Sequence, residues 1–291
     1  MTEDALAGLL EIRSRSPYRI AEAAAQRTRP ADLTGQTGRL LLVAADHPAR
    51  GALRAGDRPM AMADRMDMLR RLVIALGRPG VDGVLGTADV LEDLLLLGAL
   101  ESKVVIGSMN RGGLAGTVFE LDDRFTGYRT DAIRAMGWQG GKMLARIDPE
   151  DPATVTTLES CARAVDELAS HRLMAMVETF IANRVDGRVR NVLTSEAVIR
   201  SSAVAAGLGS TSAYTWLKLP VVDDMETVLA ATTLPVLLLG GEVAADQGQQ
   251  LAEWRKALAV PSVRGMVAGR ALLYPPDDDV AAAVDATVGL L

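Results

Sequence analysis

The chain has few of the residues that disulfides, zinc sites and nucleic-acid binding need. Its 291 residues include one cysteine, Cys161, and two histidines, His47 and His171. One cysteine cannot form an internal disulfide, which fits a reducing compartment, and two histidines argue against a zinc site built from several imidazoles. Aromatic residues make up 3% of the chain, too few for the stacking surfaces that bind single-stranded nucleic acid. We therefore expect no metal and no other cofactor.

Excess positive charge and long apolar segments are also missing. The formal net charge is −6, which argues against general binding to nucleic acid or to anionic membranes. No apolar run reaches the roughly 18 residues that a membrane-spanning helix needs. The first ten residues carry Glu3 and Asp4 in place of the basic start of a signal peptide. We expect a cytoplasmic protein without a nucleic-acid or membrane partner.

Lysine is scarce as well, since the chain has 27 arginines but only four lysines. An arginine keeps its proton, whereas a buried lysine can lose its proton and become a nucleophile. Lys103 begins a predicted strand and Lys256 lies in a polar helix, so both have a simple structural explanation. Lys142 and Lys218 lie within apolar strands. These two lysines are therefore candidates for chemistry that an arginine cannot perform.

Short apolar segments alternate with helical patterns along the chain. The predicted strands are residues 39–45, 81–85, 103–107, 141–147, 173–178, 214–219, 235–239 and 263–268. Alternating strands and helices give parallel pairing through right-handed crossovers. Eight such units at this length predict an α/β fold with a closed (β/α)8 TIM barrel, and an open doubly wound sheet is the alternative.

A different pattern precedes the first strand. Residues 5–27 form one or two amphipathic helices, with a break near Ser16 and Pro17. No linker or low-complexity stretch interrupts the chain after this segment. We therefore predict an N-terminal helical extension at residues 1–38 and a single barrel domain at residues 39–291.

The active site of such a barrel lies at the carboxyl ends of its strands, where Lys218 is placed. Burial disfavours a charged ammonium group and lowers the pKa of lysine. A neutral lysine amine attacks ketones and aldehydes to form a Schiff base, whose iminium accepts electrons from an adjacent carbon–carbon bond. The structural alternative is a lysine that keeps its charged end in water.

Lys142 and two carboxylates support the catalytic interpretation. Side chains from alternate barrel strands share interior layers, so Lys142 and Lys218 can meet inside the barrel. A second cation would lower the pKa of the first, and buried cations need carboxylate partners. Asp46 and Glu178 are the candidates, because each follows an apolar run. Both could instead cap loops. His47, next to Asp46, is either a proton shuttle or a structural histidine.

The ends of the last two strands carry a second signal. Gly240 and Gly241 follow one strand, and Gly269 and Arg270 follow the next. These two loops form the usual phosphate site of phosphate-binding barrels, and a guanidinium group suits phosphate. Arg50 is a candidate second contact to an anion. The glycines could also serve only to make tight turns.

Six motifs in order along the chain resemble those of the class I aldolases in the deoxyribose-phosphate and tagatose-bisphosphate aldolase superfamily. They are Ala44-Ala45-Asp46-His47, Gly141-Lys142 through Asp148-Pro149, Val177-Glu178, Trp216-Leu217-Lys218-Leu219-Pro220, Leu239-Gly240-Gly241-Glu242 and Gly265 through Arg270. The resemblance spans residues 41–274. Residues 1–38 lie outside it, and the glycine-rich loop at residues 111–124 matches no substrate signature.

The resemblance implies a metal-independent Schiff-base aldolase that acts on a phosphorylated keto sugar. Lys218 would form the Schiff base, and Asp46 and Glu178 would transfer protons. Lys142 would lower the pKa of Lys218 or orient the substrate carbonyl. The chain is also similar to a branch of barrels from high-GC bacteria that accompany inositol breakdown. That similarity implies cleavage of 2-deoxy-5-keto-gluconate 6-phosphate into dihydroxyacetone phosphate and malonate semialdehyde.

Two alternatives remain open from the sequence. A lysine barrel of this kind could catalyse a transaldolase-type or acyl-transfer reaction on a phosphorylated diketone. It could also be a regulator that binds a sugar phosphate without turnover. Because relatives in the superfamily are oligomeric, the resemblance also implies a homo-oligomer.

Overall fold

The computed structural model describes residues 3–34 and 37–291 of the chain. Residues 1–2 and 35–36, which belong to the predicted N-terminal extension, lie outside the described residues. Within the described ranges no helix is long and apolar enough to cross a membrane.

Eight parallel strands form a closed barrel, which confirms the predicted (β/α)8 fold. The strands of the structure are β1 (Leu40–Ala44), β2 (Gly83–Gly86), β3 (Val104–Ser108), β4 (Gly140–Ile147), β5 (Met174–Val185), β6 (Arg188–Asn191), β7 (Thr215–Leu219), β8 (Val236–Leu239) and β9 (Val263–Ala268). Neighbouring strands pair in the order β1, β2, β3, β4, β5, β7, β8 and β9. Strand β9 then pairs with β1 and closes the barrel.

Helices surround the barrel and precede it. They are α1 (Glu3–Arg15), α2 (Arg19–Gln26), α3 (Arg65–Leu76), α4 (Ala88–Leu96), α5 (Thr130–Ala135), α6 (Ala153–Ser170), α7 (Ser195–Ala206), α8 (Met225–Ala230), α9 (Gln247–Leu258), α10 (Arg270–Leu273) and α11 (Val280–Val288), with a 3-10 turn at Pro48–Arg50. Several begin where the sequence supplies a cap. The side chains of Asp64 and Thr194, for example, accept hydrogen bonds from backbone N–H groups in the first turns of α3 and α7.

The apolar strands bury both of their faces, as parallel strands covered by helices must. Every residue of β1 and β4 is buried. One apolar cluster fills the barrel interior with residues such as Leu40, Val104 and Met174, and a larger cluster lies between the barrel and its helices. This packing holds the barrel strands rigidly, so the side chains at their carboxyl ends have fixed positions.

The N-terminal helices pack on the outside and at the amino end of the barrel. The Nε atom of Arg13 in α1 donates to Asp93 in α4 at 2.9 Å. Arg27 is 4% exposed and donates to the carbonyls of Leu100, Lys103 and Gly137. Leu33 packs against the interior cluster. The first segment of the chain therefore covers the end of the barrel opposite to the expected active site.

One expectation about the strands is wrong. The predicted strand at residues 173–178 ends at Glu178, but β5 continues to Val185 and returns through β6 as an antiparallel hairpin. Its turn is Asp186-Gly187, and both residues have positive φ, 51° and 73°. An Asp-Gly pair between alternating strand residues is a strong hairpin signal. The hairpin adds a wall beside the mouth of the barrel.

Candidate active site

A cavity of about 600 Å³ opens at the carboxyl ends of the barrel strands. This volume lies within the range of small-molecule sites. Eight of the nine predicted site residues line it: Asp46, Arg50, Glu178, Lys218, Gly240, Gly241, Gly269 and Arg270. The ninth, Lys142, is fully buried and contacts the lining carboxylates Asp46 and Glu178.

Strand register brings Glu178 to Lys218. The two residues are cross-strand partners in the parallel pairing of β5 with β7, and Lys218 Nζ lies 2.8 Å from Glu178 Oε1. The other oxygen of Glu178 contacts Nζ of Lys142, on β4. Lys142 Nζ also lies 3.4 Å from Asp46 Oδ2, at the end of β1. The structure therefore brings together the two lysines and the two carboxylates that the sequence indicated.

Arg111 and Ser108 complete this group, and neither is among the predicted site residues. The guanidinium of Arg111 contacts the Asp46 carboxylate, and its Nε donates to Ser108 Oγ at 3.0 Å. Ser108 Oγ in turn donates to Asp46 Oδ2, also at 3.0 Å. We name the five charged residues Lys218, Glu178, Lys142, Asp46 and Arg111 the lysine cluster.

Burial sets the electrostatics of the lysine cluster. Removal from water lowers the pKa of Lys218 below the ordinary lysine value, although Glu178 opposes this change. Burial, followed by the charge of Arg111, lowers the pKa of Lys142 well below its ordinary value, and Glu178 opposes this change as well. For Glu178, burial acts to raise the pKa, but the two adjacent ammonium groups outweigh it and hold the pKa well below its ordinary value. The carboxylate is thus ionised while the amines are poised to lose a proton.

His47 lies at the cavity wall without a strong hydrogen bond. Its Nδ1 is 3.8 Å from Asp46 Oδ1 and has no hydrogen-bond partner among the described residues. Burial, followed by the positive charges of Arg270 and Lys218, holds the pKa of His47 well below its ordinary value. A neutral imidazole beside Lys218 is compatible with proton transfer and with a packing role, so both interpretations of His47 stay predictions.

The predicted phosphate-binding residues line the cavity at the carboxyl ends of β8 and β9. Gly241 has φ of 69°, which favours glycine, and a Cβ on Gly269 would lie 2.5 Å from the carbonyl oxygen of Ala44. Neither glycine N–H donates to an acceptor within the described chain. Gly240 differs, because its N–H donates to Val267 O at 3.1 Å. Gly241 and Gly269 therefore have free backbone donors, and Gly240 supplies the turn.

Arg270 is largely buried, and its one ion-pair partner among the described residues is Glu242. Its Nη1 lies 2.6 Å from Glu242 Oε1, and the Glu242 side chain is 67% exposed. The Nε atom of Arg270 is buried and has no hydrogen-bond partner in the part of the chain that the structure describes. The guanidinium thus keeps donors for an anion, while an exposed carboxylate competes for the same charge.

Arg50 lines the cavity but is held by the loop that follows β3. Its Nε donates to Gly113 O at 2.9 Å, and Nη2 lies 3.7 Å from Glu120 Oε1.

Arg146 on β4 pairs with the same Glu120 and, through two nitrogens, with the fully buried Asp123. We name Arg50, Glu120, Asp123 and Arg146 the arginine cluster. It anchors the loop at residues 111–124 across the mouth of the barrel, so the loop that matched no substrate signature has a structural function.

Metal-binding geometry is not found in the described residues, where no three His, Cys, Asp or Glu side chains lie close enough to share an ion. Cys161 is buried in α6, as expected for a core residue. A second cleft, of about 550 Å³, lies outside the barrel near α8 and α9. It is lined by Lys256 but by none of the predicted site residues.

The closed (β/α)8 barrel is similar in fold to solved structures of fructose-1,6-bisphosphate aldolases. At 20% identity it superposes on a Schiff-base-forming fructose-1,6-bisphosphate aldolase with a TM-score of 0.66, covering 93% of this chain and 99% of that one. An archaeal fructose-1,6-bisphosphate aldolase, solved with its catalytic lysine covalently bound to the carbinolamine intermediate, gives 0.66 at 19% identity, covering 93% and 98%.

The chain belongs to the Cgl0159-like family, whose model matches residues 38–288. It is 51% identical to Cgl0159 from Corynebacterium glutamicum, and the comparison with that crystal structure covers 100% of this chain and 97% of the other. The TM-score of this pair is 0.97. No curated protein matches the chain significantly.

Proposed function

We propose that the protein is a metal-independent Schiff-base aldolase that makes or breaks a carbon–carbon bond in a phosphorylated keto sugar. The observation that carries the proposal is the position of Lys218. Its amine lies at a cavity of substrate size, is 4% exposed, and has Glu178 as its carboxylate partner at 2.8 Å. Burial favours the neutral amine, which is the form that attacks a carbonyl.

The first half of the reaction joins Lys218 to the ketone. The Nζ lone pair forms a bond to the carbonyl carbon, and the carbonyl π electrons move to oxygen, which takes up a proton. Nζ loses a proton, for which Glu178 is the nearest carboxylate. Return of that proton from Glu178 to the carbinolamine hydroxyl, followed by loss of water, then gives the iminium. Lys142, in contact with both carboxylates, lies beside them in this step and is placed to orient the substrate carbonyl.

In the second half, the iminium accepts the electrons of the cleaved bond. A carboxylate removes the proton from the hydroxyl on the carbon beyond that bond, an aldehyde leaves, and an enamine remains on Lys218. Protonation of the enamine carbon and addition of water release the ketone product and the free amine. Asp46 and Glu178 are the carboxylates that line the cavity beside Lys218, and we assign these proton transfers to them.

The substrate phosphate would bind at Arg270 and at the free N–H groups of Gly241 and Gly269. Arg50 is less available than the sequence indicated, because Gly113 and Glu120 already hold it. The family resemblance makes 2-deoxy-5-keto-gluconate 6-phosphate our first candidate. Cleavage between its C3 and C4 gives dihydroxyacetone phosphate and malonate semialdehyde.

Borohydride trapping tests the proposal directly. The protein is incubated with dihydroxyacetone phosphate or another phosphorylated sugar, reduced with borohydride, and analysed by intact mass and peptide mapping. We expect one adduct, on Lys218, and no adduct in the Lys218→Arg variant. An adduct on Lys103 or Lys256 would contradict the site, and no adduct with any donor would contradict the chemistry. Product analysis separates aldol cleavage from transaldolase or acyl transfer.

Metal removal provides a second prediction. Because the proposed mechanism activates the carbonyl as an iminium, it needs no Lewis acid. We expect turnover to be unchanged after dialysis against EDTA. The measurement is the rate before and after chelation, and after adding back divalent ions. Loss of activity that metal restores would contradict the metal-independent mechanism.

A further inference from the structure

The side chains of the lysine cluster form a row in which positive and negative charges alternate. Lys218 contacts Glu178, Glu178 contacts Lys142, Lys142 contacts Asp46, and Asp46 contacts Arg111. Arg111 lies at one end of this row and Lys218 at the other. All five side chains are nearly or fully buried, so water screens their charges poorly.

The number of charged side chains in the lysine cluster determines how many protons the cluster can hold. Two carboxylates face three cationic side chains, so the cluster has an excess positive charge when both lysines are protonated. When one lysine is neutral, the charges balance. A buried uncompensated charge is costly, and the excess therefore favours loss of one proton from a lysine. Arginine does not lose its proton, so Arg111 is not the group that gives it up.

Position within this row of contacts determines which of the two lysines becomes neutral. Lys142 lies between Asp46 and Glu178 and contacts both. Lys218 has Glu178 as its one carboxylate partner among the described residues. Loss of a proton from Lys142 would remove two attractive contacts, whereas loss from Lys218 removes one. Burial and the charge of Arg111 lower the pKa of Lys142 too, but its two carboxylate contacts oppose that change, so the contacts favour deprotonation of the lysine at the cavity.

We propose that Arg111 is a positioning residue for the Lys218 chemistry: its permanent charge neutralises Asp46, which leaves Lys142 to neutralise Glu178 and allows Lys218 to become neutral. This role rests on the proposed function of Lys218 as a nucleophile. Ser108 supports it by accepting from Arg111 Nε and donating to Asp46 Oδ2. Without Arg111, the two carboxylates would need both lysines protonated.

Other charged groups near Lys218 leave this count unchanged. Arg270 is paired with Glu242 at 2.6 Å, and His47 is held neutral by burial and by its cationic neighbours. The charge of Arg111 also acts to lower the pKa of Lys218, after burial and against the opposing effect of Glu178. Asp123 and Arg146 of the arginine cluster also act on Arg111, with opposite signs.

The test measures the protonation of Lys218 without relying on turnover. Acetic anhydride modifies only neutral amines, and the exposed Lys256 serves as an internal reference among only four lysines. The labelling rate of the Lys218 peptide is followed by mass spectrometry as a function of pH. In Arg111→Gln we expect the labelling midpoint to rise by at least about one pH unit, which lowers labelling about tenfold at pH values below the midpoint.

Removal of a second charge from the same cluster separates this role from simple packing. Asp46→Asn alone removes a negative charge, so its midpoint should lie below that of the unmodified protein. Asp46→Asn combined with Arg111→Gln restores the balance, and its midpoint should return close to that of the unmodified protein. Arg111→Lys keeps a positive charge and should restore most of the shift. A structural role for Arg111 predicts none of this ordering.

The matched control is Arg129→Gln, which makes the same change of charge at a side chain that is 79% exposed and pairs with Asp131, outside the cluster. It should leave the midpoint unchanged. Thermal unfolding shows which variants fold. If Arg111→Gln does not fold, the comparison of Asp46→Asn with the double variant takes its place, and equal midpoints in those two would overturn the proposal.

An unchanged labelling midpoint of Lys218 in a folded Arg111→Gln variant would also overturn the proposed role of Arg111. Failure of the aldolase proposal is recognised separately, because it would appear as the absence of a borohydride adduct on Lys218. The labelling midpoints report the charge balance whether or not an adduct forms. For the active enzyme we expect the acid limb of kcat/KM in Arg111→Gln to move to higher pH by the same amount as the labelling midpoint.

Discussion

Two buried ionic clusters lie side by side at the mouth of the barrel and differ in their cations. The arginine cluster contains Arg50 and Arg146 with Glu120 and Asp123, so its two cations match its two carboxylates. The lysine cluster has three cations for two carboxylates. One cluster is balanced and the other carries one excess proton.

The difference in cations matches a difference in role: the arginine cluster fixes a loop, and the lysine cluster is the candidate for chemistry. Arg146 donates to both oxygens of Asp123 at 2.8 and 2.9 Å, a planar two-point contact that fixes geometry and cannot titrate. Lys218 makes a single contact with Glu178 and can lose its proton. The scarcity of lysine in the chain therefore has a physical meaning, because lysine occurs where an exchangeable proton is needed.

The largest effect is expected for Lys218→Arg, which gives the lysine cluster a cation that cannot lose its proton, as in the arginine cluster. The variant keeps the positive charge beside Glu178 but has no amine that can become neutral. Turnover should fall by at least about a thousandfold, as for loss of other covalent nucleophiles. Steady-state kinetics measure it, with thermal unfolding to show that the barrel is intact. Substantial remaining turnover in a folded variant would mean that another group attacks the substrate.

Glu178→Gln should have the next largest effect. The variant keeps the shape of the side chain but removes the nearest proton acceptor of Lys218, which is worth about 10²–10⁴-fold in rate. It also removes the attraction that keeps the ammonium form, so the acid limb of kcat/KM should move to lower pH. A full pH profile distinguishes the two consequences. A limb that moves to higher pH would contradict our assignment of the charges.

The reciprocal exchange in the arginine cluster is Arg146→Lys. It keeps the charge beside Asp123 but loses the two-point contact and leaves a buried acceptor without a donor. We expect a loss of about 1–3 kcal/mol in the free energy of unfolding, measured by denaturant titration. Because Lys218 is untouched, borohydride trapping should persist at temperatures where the variant is folded. Loss of the adduct in the folded variant would show that the arginine cluster takes part in the chemistry.

Much of the fold and part of the site follow from local sequence patterns. The eight apolar segments predict the strands because parallel strands are buried on both faces, and Thr194 supplies the cap from which the helix at Ser195–Ala206 begins. Lys142 and Lys218 stand out because each interrupts an apolar run. Their meeting with Glu178 follows from barrel geometry, in which side chains of nearby strands share interior layers.

Other residues could not be placed from the sequence. Arg111 is one of 27 arginines and lies in a loop, so only the folded path of that loop shows that it reaches Asp46. Arg50 shows the converse, since the sequence cannot reveal that Gly113 and Glu120 hold it. The hairpin of β5 and β6 was predictable, because Asp186-Gly187 is a turn signal within the sequence itself.

The smallest effect is expected at Glu242, where a carboxylate competes with substrate for a cation. Its Oε1 lies 2.6 Å from Arg270 Nη1, but the side chain is 67% exposed, and such pairs are worth about 0–1 kcal/mol. Glu242→Gln should therefore lower KM for a phosphorylated substrate by up to about fivefold and leave kcat unchanged, because the phosphate no longer displaces a carboxylate.

Glu159→Gln is the matched control for this variant, because Glu159 is 71% exposed and pairs with Arg163 on α6, outside the cavity. It changes the net charge equally and should leave KM unchanged. High salt screens exposed charges, so the difference between Glu242→Gln and the unmodified protein should shrink at about 1 M salt. A higher KM in Glu242→Gln would mean that Glu242 orients Arg270 for the substrate, and the pair would then belong with the arginine cluster as a positioning contact.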